Sequence, residues 1–141
     1  MILLDTNVLS ALMQREPDAK VVAWLDNQAA ESIWISSITL FEAHYGLALL
    51  ATGRRRKLLQ ERFDQLLQED LEDRVLSFDV NAAAQAAQLA AERKARGRPV
   101  DMRDTFIAGI ALARHAALAT RNTRHFDDVL VPVVDPWADA E

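Results

Sequence analysis

The chain has 141 residues, of which 50% are hydrophobic and 26% charged, a composition typical of a folded globular protein rather than a disordered one. A chain of this length is expected to form one domain, residues 1–141, with a core of its own. Because it contains no cysteine, disulfide scaffolds, thiolate metal sites and cysteine nucleophiles are excluded. No apolar run is long enough for a membrane span and the N-terminus lacks a secretory signal, so we expect a cytoplasmic protein without membrane contact.

The net charge is −5, from 21 acidic and 16 basic side chains. Proteins that hold nucleic acid mainly by charge are usually basic overall. A nucleic-acid substrate would therefore require local basic patches or bridging cations on this chain.

Short apolar segments alternate with longer amphipathic ones, which predicts strands and helices in turn. The predicted strands are 2–4, 32–36, 75–78, 117–120 and 131–134. The predicted helices are 6–13, 19–29, 39–51, 54–69, an alanine-rich segment that starts after the N-cap Asp79 and ends near 97–99, and 104–115. This alternation indicates an α/β domain with a largely parallel sheet.

Four polar residues are expected at one edge of this sheet, because sites in parallel sheets form beyond the carboxyl ends of the strands. Asp5 ends the first predicted strand, and Glu42 lies early in the helix after the second. Asp104 starts the helix that leads into the fourth strand, and Asn122 follows that strand. Carboxylates held close together repel each other unless a proton or a cation compensates. Oxygen ligands without cysteine suit Mg²⁺ or Mn²⁺, which activate water and stabilise charge on a phosphodiester.

Each of these residues also has a purely structural interpretation. Asp5 could cap the following helix, and Glu42 could close a capping box formed by residues 39–42. Asp101 and Asp104 could complement the dipole of their helix, and Asn122 could occupy a left-handed turn. The structural interpretations are weaker jointly than singly, because the candidate residues point to the same edge of the sheet.

Four segments resemble the motifs of PIN-domain nucleases. They are the opening MILLDTNVL at 1–9, the pair Glu42-x-x-x-Gly46, the segment DTFIA at 104–108 and the segment LATRNTRHF at 118–126. The resemblance is closest to VapC/FitB-like toxins of bacterial toxin–antitoxin pairs. It spans nearly the whole chain, down to the terminal VDPW at 134–137.

The resemblance implies a five-stranded, mainly parallel sheet flanked by helices on both faces, and a Mg²⁺-dependent ribonuclease in which Mn²⁺ could substitute. By position, Asp5, Glu42 and Asp104 would surround the metal, with Glu42 binding or deprotonating the attacking water. Asn122 stands where the family often has Asp, although an amide can still ligate through its carbonyl oxygen. Asp101 is a lesser candidate for the same role.

Further residues are assigned supporting roles. Thr6 and Thr120 would hydrogen-bond the carboxylates, and Arg121 and Arg124 would bind the RNA phosphates that flank the cleaved bond. The basic segments 54–57 and 93–98 are weaker candidates for phosphate binding, and for 54–57 a solvated helix end is favoured. Among the histidines, His44 is expected to point away from the site, and surface or helix-end positions without a catalytic role are expected for His115 and His125.

Gly46 and the apolar side chains around it suggest contacts with partners. A glycine inside a helix costs about 1 kcal/mol relative to alanine, so we expect compensation by a closely packed helix or an approaching substrate. The aromatic and leucine side chains on the two helices after the second strand exceed what one small core needs. The family resemblance favours a homodimer and a small antitoxin, with a segment of the antitoxin in the acidic groove.

Two other function classes remain open. Asp5 also suits a haloacid-dehalogenase-type phosphatase, but that chemistry needs a second acidic residue where this chain has Asn7. Because Asn122 replaces an Asp that is frequent in the family, the chain could also be a binding module that keeps the fold but does not catalyse a reaction.

Overall fold

The computed structural model describes residues 1–98 and 101–138, and its centre is a parallel five-stranded sheet. The strand order is β3-β2-β1-β4-β5, so that β1 lies in the middle. Leu4 at the end of β1 pairs with Ile35 on one side and with Ala119 on the other. The strands are β1 (Ile2–Leu4), β2 (Ile33–Ser36), β3 (Val75–Leu76), β4 (Ala117–Ala119) and β5 (Val133–Val134).

Helices cover both faces of the sheet, which confirms the predicted fold class. They are α1 (Thr6–Met13), α2 (Ala19–Asp26), α3 (Ser37–Leu49), α4 (Arg54–Gln65), α5 (Val80–Ala95) and α6 (Met102–Arg114). A π-helical turn follows α4 at Leu66–Asp70, and short 3-10 helices occupy Ala30–Ser32 and Thr123–Phe126. In the described part of the chain, no helix is both long and apolar enough to cross a membrane.

The core has two halves because successive side chains of β1 point to opposite faces of the sheet. Leu3 packs with residues of α5 and α6, including Ile107 and Ile110. Leu4 packs on the other face with residues of α1 to α4, including Val8 and Phe63. Full burial on both faces is typical of a central strand in a parallel sheet. The backbone of β1, and with it Asp5, is therefore fixed from both sides.

The packing of α5 against α6 depends on Gly109. A Cβ atom added to Gly109 would lie 2.6 Å from the Ala82 carbonyl oxygen and 2.7 Å from the Ala86 Cβ. The absence of a side chain at this position lets the two helices approach each other closely. This contact sets the position of α6, whose first turn carries Asp104.

Several element boundaries differ from the predictions. Helix α3 starts earlier, at Ser37, because the Ser36 hydroxyl accepts the Thr39 N–H and so caps it. Helix α6 starts at Met102 with Asp101 as its N-cap, which places Asp104 inside the first turn. The predicted helix 54–69 ends at Gln65, where the chain continues as the π-helical turn.

The other boundaries differ by a few residues at segment ends. The helix predicted at 19–29 ends at Asp26, and the alanine-rich helix ends at Ala95, while Pro99 lies outside the described residues. The strands predicted at 32–36, 75–78, 117–120 and 131–134 are each shorter, since only part of each segment pairs with a neighbouring strand.

Candidate active site at the carboxyl edge of the sheet

Asp5 lies at the centre of the site, directly after β1, and is only 4% exposed. Its Oδ1 accepts the Thr6 N–H at 2.8 Å, so Asp5 does cap α1 as its structural interpretation predicted. Its Oδ2 accepts the Thr120 hydroxyl at 2.7 Å and the Asn7 side-chain amide at 3.3 Å. Both carboxylate oxygens are therefore held in place by neighbouring residues.

The pKa of Asp5 responds to two other carboxylates. Burial raises the pKa of the Asp5 carboxyl above its ordinary value, and the negative charges of Asp104 and Glu42 raise it further. Hydrogen bonds from Thr120 and Thr6 lower the pKa but do not cancel these effects. The structure thus brings the three predicted carboxylates to one edge of the sheet, where an added positive charge would relieve their repulsion.

Glu42 lies in the second turn of α3 and faces the start of α1. Its Oε1 accepts the Thr6 hydroxyl at 2.9 Å, and its Oε2 lies 3.5 Å from Nη1 of Arg103. The Thr6 hydroxyl is also 3.0 Å from that of Thr39. The capping-box interpretation of Glu42 is wrong, because the N-cap of α3 is Ser36 and not Thr39. The carboxylate of Glu42 contacts side chains of α1 and α6 instead.

Asp104 is held by a histidine to which the sequence assigned no role. Its Oδ2 lies 2.8 Å from Nδ1 of His125, which sits in the 3-10 helix after β4. His125 is half exposed and lies in the last turn of this short helix, as expected, and its contact with Asp104 is an addition that the sequence did not indicate. The available signal was its place three residues after Asn122, within a segment that resembles a family motif.

Arg93 is a second residue whose role the sequence did not reveal. It is 2% exposed, and its guanidinium donates to both carboxylate oxygens of Asp128 at 2.8 and 2.9 Å. It also donates to the Thr105 hydroxyl at 2.9 Å and to the His125 carbonyl at 2.8 Å. The structure therefore excludes Arg93 as a phosphate ligand and makes it a link between α5, α6 and the segment that carries His125.

The other arginines of this basic segment are also paired. Arg96 lies 2.9 Å from Asp128, and Arg98 lies 2.6 Å from Asp127. The pKa of Asp128 is lowered, chiefly by its hydrogen bonds with Arg93. The three arginines of this basic segment thus form ion pairs with Asp127 and Asp128, which lie in the segment after β4.

The residues after β4 surround Asp5 from a second side. Asn122 is exposed, and its backbone N–H donates to the Thr120 hydroxyl at 3.0 Å. Its φ of −94° contradicts the left-handed turn considered for it. The side-chain oxygen of Asn7 accepts the Arg121 N–H at 3.2 Å, which ties α1 to this segment. The Arg121 guanidinium lies 4.9 Å from the centre of the Trp137 ring.

Asp101 is a structural cap rather than a member of the central group. Its Oδ1 accepts the Arg103 N–H at 2.8 Å, and this hydrogen bond lowers the pKa of Asp101. The carboxylate is half exposed and lies 3.5 Å from Nε of Arg103. The helix-dipole interpretation thus accounts for Asp101, and it also fits Asp104 in the first turn of α6, which in addition contacts His125.

Gly46 borders an open groove on the other side of Glu42. A Cβ atom at Gly46 would meet nothing within 4 Å among the described residues, so the expectation that a closely packed helix requires glycine there is wrong. The groove has a volume of about 180 Å³ and is bordered by α1, α3 and α4. His44 points away, as predicted, with its ring packed edge-on against Phe63 at 5.1 Å.

As the side chains stand, the described residues include no group of three or more Asp, Glu, His or Cys that could hold a metal ion. Two of the three central carboxylates are directed instead to basic side chains of the protein, Glu42 to Arg103 and Asp104 to His125. At the edge of the sheet, Arg103 therefore offsets part of the negative charge, while Asp5 is held by uncharged hydrogen-bond donors.

Comparison with known proteins identifies the family. The model of the PIN domain family matches residues 2–130. VapC ribonuclease Y4jK of Sinorhizobium fredii is 39% identical over 99% of this chain and 100% of its own length. Toxin FitB of Neisseria gonorrhoeae is also 39% identical, over 99% of this chain and 100% of its own. The first name agrees with the predicted ribonuclease class and the second with the predicted toxin class.

A solved structure of FitAB bound to an IR36 DNA fragment contains a similar chain. It is 38% identical, covers 100% of this chain and 99% of that chain, and superposes with a TM-score of 0.90. The likeness therefore extends to the sheet, the helices and the segments that carry the central carboxylates. The chain belongs to the PIN-domain family and groups within it with the VapC and FitB toxins.

Proposed function

We propose that this protein is a divalent-metal-dependent endoribonuclease and the toxin of a toxin–antitoxin pair. The ribonuclease and toxin classes are supported by the names of its relatives. The observation that carries the chemistry is the buried carboxyl of Asp5, whose pKa is raised by burial and by the charges of Asp104 and Glu42. A site that concentrates negative charge in this way is suited to bind a cation.

The residues present fit a hard divalent cation such as Mg²⁺ or Mn²⁺. Asp5, Glu42 and Asp104 would hold it through carboxylate oxygens, the ligands that these ions prefer. Asn122, exposed beside Thr120, would add an amide oxygen, and Asp101 would assist only from the periphery. When bound, the ion supplies activation of water and stabilisation of the charge that develops on the phosphodiester.

The protein positions these carboxylates with uncharged and basic groups. The Thr120 hydroxyl holds Asp5 and the Thr6 hydroxyl holds Glu42, each through one carboxylate oxygen. His125 holds Asp104. Glu42 would bind the attacking water or accept its proton, since it is partly exposed whereas Asp5 is buried.

Arg121 and Arg124 are proposed to bind the RNA phosphates on either side of the cleaved bond. Both are exposed, and both lie in the segment after β4 that also carries His125, the partner of Asp104. Stacking on Trp137 orients the guanidinium of Arg121, which leaves its N–H groups free to bind a phosphate. These local positive charges explain how a chain of net charge −5 can hold a polyanion.

An exposed apolar face on α3 and α4 is proposed to bind protein partners. Phe41, Tyr45 and Leu49 follow each other at helical spacing on α3 and are exposed, as is Leu58 on α4. The face is proposed to be covered in a homodimer or by the antitoxin, and the separate groove beside Gly46 is bordered by Glu42. Sedimentation of the purified chain with and without a coexpressed antitoxin tests both partners.

The proposed activity is tested with Asp5→Asn and Asp104→Asn, which remove charge and keep the size of the side chain. We expect both variants to lose RNA cleavage in Mg²⁺ while their circular dichroism stays that of the wild type. Asp64→Asn on the outer face of α4 is the matched control and should cleave normally. Unchanged RNA cleavage by both Asp5→Asn and Asp104→Asn, with host ribonucleases excluded, would refute the assignment.

Asn122 favours one competing function, a PIN-fold binding module without catalysis. Wild-type protein that binds Mn²⁺ but cleaves no RNA would support that alternative. If the proposed activity is correct, Asn122→Asp should tighten Mn²⁺ binding, and Mn²⁺ should raise the melting temperature of the wild type.

A further inference from the structure

Arg103 connects the two helices that carry Glu42 and Asp104. Its Nη1 lies 3.5 Å from Oε2 of Glu42, and its Nε lies 3.5 Å from Oδ1 of Asp101. The negative charges of Glu42, Asp101 and Asp104 all act on its guanidinium. Arg103 is thus a cation that belongs to the protein itself and is placed against a carboxylate of the candidate site.

The folding of α6 does not explain this position. The cap of α6 is made by the backbone N–H of Arg103, which any residue other than proline would supply. The side chain is 49% exposed, and exposed ion pairs contribute little to stability. The effect of the Arg103 side chain is therefore expected at Glu42 rather than on the stability of α6. The other carboxylate oxygen of Glu42 accepts the Thr6 hydroxyl.

The two oxygens of Glu42 are consequently both engaged by protein groups. A divalent cation bound at Oε2 of Glu42 would be repelled by the guanidinium beside that oxygen, because like charges at such a distance are unfavourable. Arg103 and the divalent cation are then alternatives at the same position. This agrees with the finding that the described residues, as they stand, present no ready group of three metal-binding side chains.

We propose that Arg103 is a positioning residue that acts as an internal counter-ion of Glu42 and competes with the divalent cation for it. The inference rests on the proposed function and extends it. Arg103 thereby sets the concentration of free Mg²⁺ or Mn²⁺ at which the site fills. When no divalent cation is bound, Arg103 offsets the negative charge of Glu42. When the cation binds, the Arg103 side chain moves towards solvent.

The test is calorimetric titration of the protein with Mn²⁺ alone, without RNA. Arg103→Gln removes the charge and keeps a polar side chain, and it should bind Mn²⁺ about two- to fivefold more tightly than the wild type. Arg103→Lys keeps the charge and should restore the wild-type affinity. Arg114→Gln is the matched control, since Arg114 lies on the same helix, is 46% exposed and also pairs at 3.5 Å, with Asp79.

Melting in EDTA and in Mn²⁺ distinguishes competition from a merely structural role. In EDTA, Arg103→Gln should melt at or slightly below the wild-type temperature. Addition of Mn²⁺ should raise its melting temperature by more than that of the wild type. If Arg103→Gln keeps the wild-type circular dichroism but binds Mn²⁺ no more tightly than the wild type, the proposed competition by Arg103 is wrong. The proposed metal-dependent function would not be affected by that result. Failure of the wild type to bind Mn²⁺ would overturn the proposed metal-dependent function and this inference with it.

Discussion

Replacing Arg93 by methionine removes the most extensively bonded buried charge described in the structure. The guanidinium makes two hydrogen bonds with Asp128, one with Thr105 and one with the His125 carbonyl, all between 2.8 and 2.9 Å. Methionine keeps a long unbranched side chain that fills the space between α5 and α6. The substitution therefore isolates the loss of the charge and its bonds from the loss of volume.

The expected cost follows from what the substitution leaves behind. Breaking a buried ion pair by removing one partner typically costs about 3–5 kcal/mol, because the other charge stays buried. Asp128 keeps Arg96 at 2.9 Å and Arg98 at 3.6 Å, and these two arginines offset part of the cost. We therefore expect the free energy of unfolding to fall by about 2–3 kcal/mol, a large share of the roughly 5–15 kcal/mol of a typical domain.

Urea unfolding followed by circular dichroism in EDTA measures this change. Arg96→Met is the control, since Arg96 is half exposed and makes one contact with the same carboxylate, and it should change stability by no more than about 0.5 kcal/mol. The double variant Arg93→Met/Asp128→Leu removes the stranded carboxylate and should recover part of the loss. A change of less than about 0.5 kcal/mol in Arg93→Met would refute the reasoning.

Three further predictions concern the helix contact and the central carboxylate. Gly109→Ala should lower stability by about 1–3 kcal/mol, because its Cβ would lie 2.6 Å from the Ala82 carbonyl oxygen; a higher melting temperature would contradict this. In EDTA, Asp5→Asn should be more stable than the wild type at pH 7. Since the folded-state pKa of Asp5 is raised, ionisation destabilises the fold as pH rises from the unfolded pKa through the folded one. The advantage should vanish under acid conditions below the unfolded pKa, and an equal advantage there would point to another cause. Thr120→Val should cost about 1–3 kcal/mol by removing a buried hydrogen bond to Asp5, with Thr120→Ser as the control, and a neutral result in urea unfolding would show that Asp5 finds another donor.

The sheet and the meeting of the carboxylates could be predicted because both follow from local patterns. An apolar run at 2–4 followed by Asp5 indicates a buried strand, and parallel strands bring their carboxyl ends to one edge. That rule alone places Asp5, Glu42 and Asp104 together, without knowledge of any distance between them. Family membership then excludes the haloacid-dehalogenase alternative, which shared only the position of Asp5.

The side chains that complete the site could not be predicted, because ion pairs between distant segments leave no local signature. Nothing near Arg93 in the sequence indicates that Asp128 will neutralise it, so its segment resembles a solvated charge run. The pairs of Arg103 with Glu42 and of His125 with Asp104 depend on how α6 and the segment after β4 pack. The capping-box motif at Glu42 failed for a related reason, since Ser36 offers an earlier cap.

The place of β1 in the middle of the sheet has a consequence for the making of the protein. Its partner β4 and the groups that fix Asp5 and Asp104, namely Thr120 and His125, are translated long after it. Asp5 therefore gains its hydrogen bond from Thr120 only after 115 further residues have been translated. A chain that terminates before β4 would lack both a neighbouring strand of β1 and the hydroxyl that donates to Asp5, so the site is completed only after β4 and Thr120 have been made.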